Sequence, residues 1–404
     1  MATDRFATRL PTSLATLGSA QSNSLDTWGG GVRLLAAPTW KFNRHWLAHA
    51  TFQANTQPFF PYEAYHVNRP LVRGRLLQGY LAYTTSGSNR SVTVKAGQIA
   101  TAFGDFSRRY SDTDNPLIGA PQPYGSYLLV RPDELPCTNF DLQHQQTVHP
   151  NISAYHCAPW ESYSYGVLPV TPYGVFGGEV DVNYRDLDAR FQLTNSNPSN
   201  PKSVLASDQS LQWAGGAGYT FFHRLRVGVS AFMGNWLDGK AAKQVRECCR
   251  RKRYCACGKG IDVQYRSGRL AVTGEWMRLH YNYPGFIHSP SVTYAYAETK
   301  VNLHPRWYVA GRAGTQRHGH VLADVNAAGH EHALIDRTLD PSTPTFQPNK
   351  LAVEVGVGYR PTRRLLMKAS QQWVRRAEAF GPKDHVFLLQ LVATLPDVWK
   401  ASSR

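Results

Sequence analysis

The feature that most constrains this chain is a two-residue alternation of apolar and polar side chains that recurs along its length. It is clearest from Val180 to Thr194, where two alternating runs flank a tight turn at Arg185-Asp186. Successive side chains of a β-strand point to opposite faces, so this pattern predicts two antiparallel strands with one apolar and one polar face. The same alternation recurs from Leu351 to Arg360.

The alternating runs form a series of hairpins. We predict paired strands at about 31–42 and 45–54, 74–85 and 90–101, 175–185 and 187–195, 211–221 and 224–235, 258–266 and 269–280, 292–303 and 306–317, and 350–360 and 363–374, with a last strand at 384–394. An opening strand must precede the first hairpin, and Phe6 to Ala20 is the segment available for it. The count is about sixteen strands, and fourteen or eighteen would fit the same pattern.

The connections between the runs are short at one end and long at the other. The long ones are about 55–73, 102–174, 196–210, 236–257, 281–291, 318–349 and 375–383. Outer-membrane barrels have this asymmetry, whereas the two loop ends of a soluble sandwich are more alike. The pattern therefore predicts an all-β fold, one transmembrane antiparallel β-barrel over residues 1–404, with short periplasmic turns and long extracellular loops.

Composition excludes several other classes. No stretch approaches the roughly 18 apolar residues of a membrane-spanning helix, and the mean hydropathy is −0.40. The aromatic content of 12% argues against disorder. A soluble two-sheet domain remains an alternative, but no sequence is left to form a layer over the apolar strand faces. Residues 1–20 hold no apolar run, so we expect that a secretory signal has been removed or that the start is misassigned.

If the apolar faces meet lipid, the polar faces line the lumen. The charged residues predicted to line the pore are Lys95, Arg190, Arg226, Glu298, Lys300, Arg312, Glu354 and Lys368. Both signs are present, which is typical of a hydrated wall held in register by ion pairs. The net charge of +16 arises mainly in the connections. A mixed wall with basic mouths would weakly favour anions.

The connection 102–174 is too long to be an idle loop, and in large barrels such a segment often folds inward and narrows the lumen. Its charged residues Arg108, Arg109, Asp112 and Asp114 are the predicted constriction. Two guanidinium groups beside Tyr110 can bind a carboxylate or phosphate bidentately, so Arg108 and Arg109 are the preferred anion-facing pair. The alternative is that this segment packs on the rim of the barrel.

The stretch around this connection resembles a known family. Gly97, Phe103-Gly104, Arg109, Asn115-Pro116-Leu117-Ile118 and Tyr124-Gly125 are similar to the strand and loop of Gram-negative outer-membrane porins of the phosphate-selective porin-like group. The likeness covers about thirty residues. It implies a sixteen-stranded barrel that passes small hydrophilic solutes. The chain departs from many such barrels in that Trp399 is not its final residue.

Six cysteines fall in two of the long loops: Cys137 and Cys157 in the first, and Cys248, Cys249, Cys255 and Cys257 in the second. An even number of cysteines on exported loops favours disulfides, whereas the spacing of the second group is not that of a usual zinc site. No metal, cofactor or catalytic residue is predicted, because the sequence holds none of the common nucleophile, zinc or phosphate-loop motifs.

These observations predict a porin in the bacterial outer membrane that allows passive diffusion of small hydrophilic, and by preference anionic, solutes. The partners expected are outer-membrane lipid, lipopolysaccharide and small polar solutes, with a homotrimer as one option and no nucleic acid. The alternatives left open are a barrel-anchored surface hydrolase or adhesin and a soluble β-rich carbohydrate-binding protein. Barrel catalysts remain an alternative because catalytic residues need be close only in space.

Overall fold

The structure is a computed structural model of the 404-residue chain. It describes residues 2–8, 28–57, 71–128, 130, 132, 167–195, 197–199, 211–237, 254–283, 286–323, 349–376 and 384–394. Regular structure in these ranges is almost entirely β-strand, with one short helix, α1 (Gln122–Gly125), and one 3-10 helix (Phe106–Arg109). None of the helices in the described ranges has the length and apolar character needed to cross a membrane.

One large antiparallel sheet contains most of the strands. Its members are β1 (Ala2–Thr8), β2 (Trp28–Ala36), β3 (Thr39–Lys41), β4 (Trp46–Gln57), β5 (Leu71–Ser86), β6 (Arg90–Ala100), β7 (Tyr173–Tyr184), β8 (Leu187–Thr194), β9 (Gln212–Phe221), β10 (Leu225–Asn235), β11 (Cys255–Ser267), β12 (Leu270–Tyr281), β14 (Ser291–His304), β15 (Trp307–His318), β17 (Lys350–Thr362), β18 (Leu365–Arg376) and β19 (Asp384–Ala393). The short strands β13 (Phe286–His288) and β16 (Leu322–Ala323) pair only with each other.

The sheet corresponds to sixteen barrel strands. Strands β2 and β3 both pair with β4 and are two parts of one strand, interrupted where Pro38 supplies no backbone N–H. Each later strand pairs with the barrel strand before it. Strand β1 pairs with β2 on one edge and with β19 on the other, from Ala2↔Val392 to Thr8↔Val386. The predicted β-barrel of about sixteen strands is confirmed.

The opening strand is the one element that sequence reasoning placed wrongly. It was expected within Phe6 to Ala20, whereas β1 ends at Thr8, and residues 9–27 lie outside the described residues. The bounds of β1 are set by its pairing with β2 and with the distant β19 rather than by a local turn signal.

Seven short turns join the strands at one end of the barrel, the periplasmic end. They comprise residues 42–45, 87–89, 185–186, 222–224, 268–269, 305–306 and 363–364. Several need left-handed backbone, which hairpin turns commonly use: Arg185, Phe222 and His223 have φ of 53°, 51° and 55°. The strand ends that border the longer connections lie at the opposite, extracellular end.

The outer surface of the sheet is apolar. The cross-strand neighbours Val180 and Phe191 are 39% and 49% exposed, and Ile261 and Phe387 are 47% and 43% exposed. Large aliphatic and aromatic side chains are exposed in the same way on strands all around the ring. A continuous apolar surface of this kind requires hydrocarbon rather than water beside it.

The inner face is polar on some strands and apolar on others. Toward the extracellular end, the inward side chains of β10, β12 and β14 form a buried apolar cluster that includes Phe232, Met277, Leu279, Tyr281 and Tyr294. The expectation of a uniformly polar lumen is therefore corrected. These side chains avoid water because aromatic residues from the 102–174 connection, among them Phe103 and Tyr124, pack against them.

Candidate channel constriction

Residues 101–128, here called the inner segment, lie against the inward side chains of the barrel wall. In the described part of the chain, hydrogen bonds or ion pairs join the segment to eleven of the sixteen barrel strands. One contact from each of these strands is made by Arg33, Gln53, Tyr173, Gln192, Ser230, Glu275, Glu298, Arg312, Glu354, Lys368 and Gln390. Because these strands lie on all sides of the ring, the inner segment extends across the lumen.

The first turn of the inner segment depends on Gly104. Its φ is +75°, and a Cβ atom there would overlap the Tyr124 hydroxyl and the Met277 methyl group. Its N–H donates to Ser230 Oγ at 3.3 Å, and its carbonyl accepts from Arg190 Nη2 at 2.6 Å. Only glycine satisfies both the backbone conformation and the space at this position.

Glu275 on β12 holds the next part of the segment. Its carboxylate accepts the backbone N–H of Asp105 at 3.2 Å and the hydroxyl of Tyr124 at 2.7 Å. Complete burial, with the negative charge of Glu275 nearby, raises the pKa of Tyr124 well above its ordinary value. Tyr124 therefore remains a hydroxyl donor to Glu275.

A second anchor is an alternating chain of acidic and basic groups. Arg109 Nη1 donates to Glu298 Oε1 at 2.6 Å, and Arg312 Nε donates to Glu298 Oε2 at 2.9 Å. The other two nitrogens of Arg312 donate to the carbonyl of Gly119 at 3.0 and 2.9 Å. Arg109 and Arg312 are both buried, so their charges are compensated by Glu298 rather than by water.

Glu354 on β17 binds the far end of the same stretch. Its Oε1 accepts the backbone N–H groups of Ile118 at 3.2 Å and Gly119 at 3.0 Å, and the hydroxyl of Ser370 at 2.8 Å. Lys368 on the next strand donates to the carbonyl of Asn115 at 2.8 Å. Backbone groups of the segment, which would otherwise be buried without partners, are satisfied by wall side chains.

Asp112 fixes the segment to the first and last parts of the barrel. It accepts from Arg33 Nε at 3.0 Å and from Gln390 Nε2 at 3.1 Å. Arg33 is only 1% exposed, so the carboxylate of Asp112 compensates a charge that has little contact with water. Asp112 is thus a structural anchor in this arrangement.

Arg108 and Asp114 are the predicted constriction residues that remain accessible. The Arg108 side chain is 44% exposed and lies 3.6 Å from Asp188 and 3.7 Å from Asp105. Asp114 is also exposed, whereas Arg109 and Asp112 are buried. Burial raises the pKa of Asp105, although the neighbouring guanidinium groups of Arg108 and Arg109 oppose this shift.

Two basic residues of the wall each form ion pairs with two carboxylates. Lys95 Nζ lies 2.5 Å from both Glu179 Oε1 and Asp181 Oδ2. Arg226 binds Asp188 bidentately, with Nε–Oδ2 and Nη2–Oδ1 distances of 2.7 and 2.8 Å, and it also pairs with Asp262. The positive charge on this side of the lumen is therefore neutralised locally.

Lys300, Arg266 and Arg360, here called the basic cluster, differ from these pairs. Arg266 and Lys300 flank Ala271 in register across β11, β12 and β14, which separates their backbones by about 10 Å. Lys300 Nζ lies 4.4 Å from the Tyr308 ring centroid, and Arg360 Nη2 donates to the Thr113 carbonyl at 3.2 Å. Within the described part of the chain, none of the three forms an ion pair with a carboxylate.

The eight predicted pore-lining residues all lie on the inward face, but they differ in access. Lys95, Arg226 and Lys300 are partly exposed, whereas Arg190 donates to the Gly104 carbonyl. The buried members are Glu298, Arg312, Glu354 and Lys368. The alternating sequence pattern predicts that these residues share one face of the sheet. It gives no information on the inner segment, which buries four of the eight.

The predicted cysteine sites are only partly described. Cys137, Cys157, Cys248 and Cys249 lie outside the described residues. Cys257 has a free thiol, and Cys255 precedes it by two residues on the same outward face of β11. A separation of two strand residues is about 7 Å, too far for these two to pair with each other. In the described ranges, no three His, Cys, Asp or Glu side chains gather as a metal site.

Sequence reasoning missed several anchoring residues, notably Arg33, Glu275 and Gln390. Each lies within a strand that the alternation predicted, so its face could have been assigned. The sequence gives no signal of which inward residue will meet the inner segment, because that depends on how a distant loop crosses the lumen.

Comparisons with known proteins give a consistent fold. No protein-family model and no curated protein matches the chain. Among solved structures, it is similar to OmpF of Salmonella typhi in complex with daunomycin, with a TM-score of 0.54 and 9% identity over 97% of this chain and 96% of that chain. For OprB of Pseudomonas putida, the TM-score is 0.53 with 10% identity, and the match covers 97% of this chain and 92% of that chain.

The outer-membrane channel DcaP of Acinetobacter baumannii is similar as well, with a TM-score of 0.51 and 9% identity over 97% of this chain and 95% of that chain. At such low identity these likenesses concern the fold. The chain has the fold of a bacterial outer-membrane porin, a sixteen-stranded transmembrane β-barrel, and the outer membrane is its location.

Proposed function

We propose that the protein is a passive diffusion channel for small hydrophilic solutes, with a preference for anions. The basic cluster is the observation that carries the proposal. Three cationic side chains face the lumen without a carboxylate partner in the described residues, whereas Lys95 and Arg226 are each held by two carboxylates. Unpaired positive charge beside a narrow aqueous path raises the local concentration of anions.

The exposed guanidinium of Arg108 supports the same preference at the inner segment. Its two carboxylate neighbours lie at 3.7 and 3.6 Å, longer than a hydrogen bond, so the guanidinium can turn its donors toward a passing carboxylate or phosphate. Together with the resemblance of the segment to phosphate-selective porins, this leads us to propose small solutes bearing those groups. The mechanism needs no chemical step, and we propose no catalytic role for the protein.

The partners proposed are the lipid and lipopolysaccharide of the outer membrane, which the apolar outer surface would contact. We also propose a homotrimer, and cross-linking of the protein in intact outer membranes would test that assembly.

The anion preference is tested by reversal potentials in planar bilayers under a KCl gradient. For the wild type we expect a reversal potential that shows higher permeability for chloride than for potassium. The triple variant Arg266→Gln, Lys300→Gln, Arg360→Gln should clearly lose this preference. The matched control removes three basic residues from outward positions, Lys259→Gln, Arg278→Gln and Arg317→Gln, and should behave as the wild type. The preference should also weaken as salt rises.

An equal reversal potential in the wild type and the lumen triple variant would reject the basic cluster as the source of selectivity. A wild type that conducts no ions would reject the channel itself. Heat-modifiable gel migration of each variant would verify that the barrel has folded.

A further inference from the structure

The periplasmic turns carry a ring of arginines that the channel proposal does not use. Every one of the seven short turns has at least one arginine within it or directly beside it, and all of these arginines are exposed. The eight members of this turn-arginine ring are Arg44, Arg90, Arg185, Arg224, Arg269, Arg306, Arg363 and Arg364.

Very little negative charge accompanies the ring. The only carboxylate within the seven turns is Asp186, which lies 3.2 Å from His223. In the described ranges, none of these eight arginines forms an ion pair with a carboxylate. Eight exposed guanidinium groups at one end of the barrel therefore have their hydrogen-bond donors available to an external anion.

Aromatic side chains place this ring at a particular depth. Next to the turns, on the outward face, Trp46 packs against Tyr83 at 5.1 Å and Trp307 stacks on Tyr359 at 4.2 Å between ring centroids. Phe222, at a turn, is 89% exposed. Aromatic girdles mark the level of the lipid headgroups in transmembrane barrels, so the turns lie at the headgroups of the periplasmic leaflet.

One contact ties an arginine of the ring directly to this girdle. The Arg185 guanidinium carbon lies 5.4 Å from the ring centroid of Tyr184, which is 49% exposed on the outward face. The guanidinium is therefore on the lipid side of the wall rather than in the lumen. At that position its nearest abundant anions would be lipid phosphates.

We propose that the turn-arginine ring binds the phosphate groups of anionic phospholipids in the periplasmic leaflet. Guanidinium groups bind phosphate bidentately, and basic residues at a membrane surface favour anionic lipid. The distribution over all seven turns favours lipid, which surrounds the barrel, over a protein partner, which would contact one sector. Lipid binding here is independent of anion conduction through the lumen.

The test compares two lipids in contact with the protein in vesicles. Tryptophan fluorescence is quenched by brominated phosphatidylglycerol or by brominated phosphatidylcholine, in mixtures of the two lipids at low salt. For the wild type we expect a relative association constant about twofold to fivefold in favour of phosphatidylglycerol, and a smaller value in high salt.

Two triple variants each remove three arginines from one half of the ring: the first is Arg44→Gln, Arg90→Gln, Arg185→Gln, and the second is Arg224→Gln, Arg306→Gln, Arg363→Gln. Each should reduce the preference for phosphatidylglycerol. The outward control triple at the extracellular end, Lys259→Gln, Arg278→Gln, Arg317→Gln, removes the same charge and should leave the preference unchanged. None of these substitutions touches the basic cluster, so failure of the lipid proposal and failure of the channel proposal can be told apart.

The proposal is overturned if the wild type shows no preference at low salt, or if the control triple lowers the preference as much as the ring variants do. It is also overturned if only one half of the ring matters, since that result would indicate a local partner. If a triple variant does not fold, the single variants Arg185→Gln and Arg306→Gln give the same comparison, and an unchanged preference in both would reject the ring.

Discussion

Substitution of Glu354 should release the inner segment from one side of the lumen. Glu354 is 2% exposed, and its Oε1 accepts the backbone N–H groups of Ile118 and Gly119. Hydrogen bonds to a charged group contribute about 1.5–3 kcal/mol each. Glu354→Ala therefore removes about 3–6 kcal/mol from the attachment of this stretch. Since about 1.4 kcal/mol corresponds to a factor of ten, the displaced state should become about 10²- to 10⁴-fold more populated.

The measurement is single-channel current in planar bilayers. The variant should show larger or strongly fluctuating conductance levels, because the inner segment then leaves part of the cross-section open. Glu354→Gln keeps an acceptor oxygen without the charge and should have a smaller effect. Ser370→Ala is the matched control, because it removes the 2.8 Å bond to Glu354 but leaves both bonds to the segment.

Wild-type conductance and current noise in a folded Glu354→Ala barrel would refute this reasoning. It would mean that the remaining anchors, such as Arg312 on the Gly119 carbonyl, hold the stretch without Glu354.

Three further predictions concern the segment and the outer face. Gly104→Val should lower the unfolding temperature of the barrel, because the new side chain overlaps Tyr124. Heat-modifiable gel migration measures this temperature, and an unchanged value would contradict the placement of Gly104. The folded state raises the pKa of Asp105, so its contribution to stability is present below the unfolded pKa and is lost as pH rises through the folded pKa. The wild type should therefore lose stability between pH 4 and pH 7, whereas Asp105→Asn should not lose this contribution. The unfolding temperature of the variant minus that of the wild type should increase over this range, and a constant difference would exclude titration of Asp105 as the cause. Ile261→Arg on the lipid face should destabilise the barrel by about 2–4 kcal/mol in urea titrations of vesicle-inserted protein, whereas the lumen control Asn183→Arg should cost much less; equal losses would place both residues in similar surroundings.

Much of the barrel was predictable from local sequence. The hairpin at Val180 to Thr194 follows from its alternation and its tight turn, because a period of two and a short connection together leave few other folds. Strand β1 was not predictable in the same way. Its residues acquire their conformation from two neighbouring strands, one of which is almost the whole chain away.

The candidate site was predictable only in part. Alternation assigned the inward face of Glu298, Glu354 and Lys368, but their roles depend on the path of the inner segment. Arg108 and Arg109 are adjacent in sequence and yet differ in exposure, because successive residues of a 3-10 helix point in different directions. Spacing alone cannot show which of two neighbouring arginines faces water.

The pairing of Ala2 with Val392 has a consequence for how the barrel forms. Pairing residues so far apart in the sequence has a large entropic cost of loop closure, whereas each hairpin pairs residues that are already close in the sequence. The seam between β19 and β1 should therefore be the last to zip during folding. Until this seam forms, the sheet has two edges with unpaired backbone N–H and C=O groups, and hydrocarbon offers these groups no hydrogen-bond partner. Insertion into the membrane and closure of the barrel must therefore be completed together.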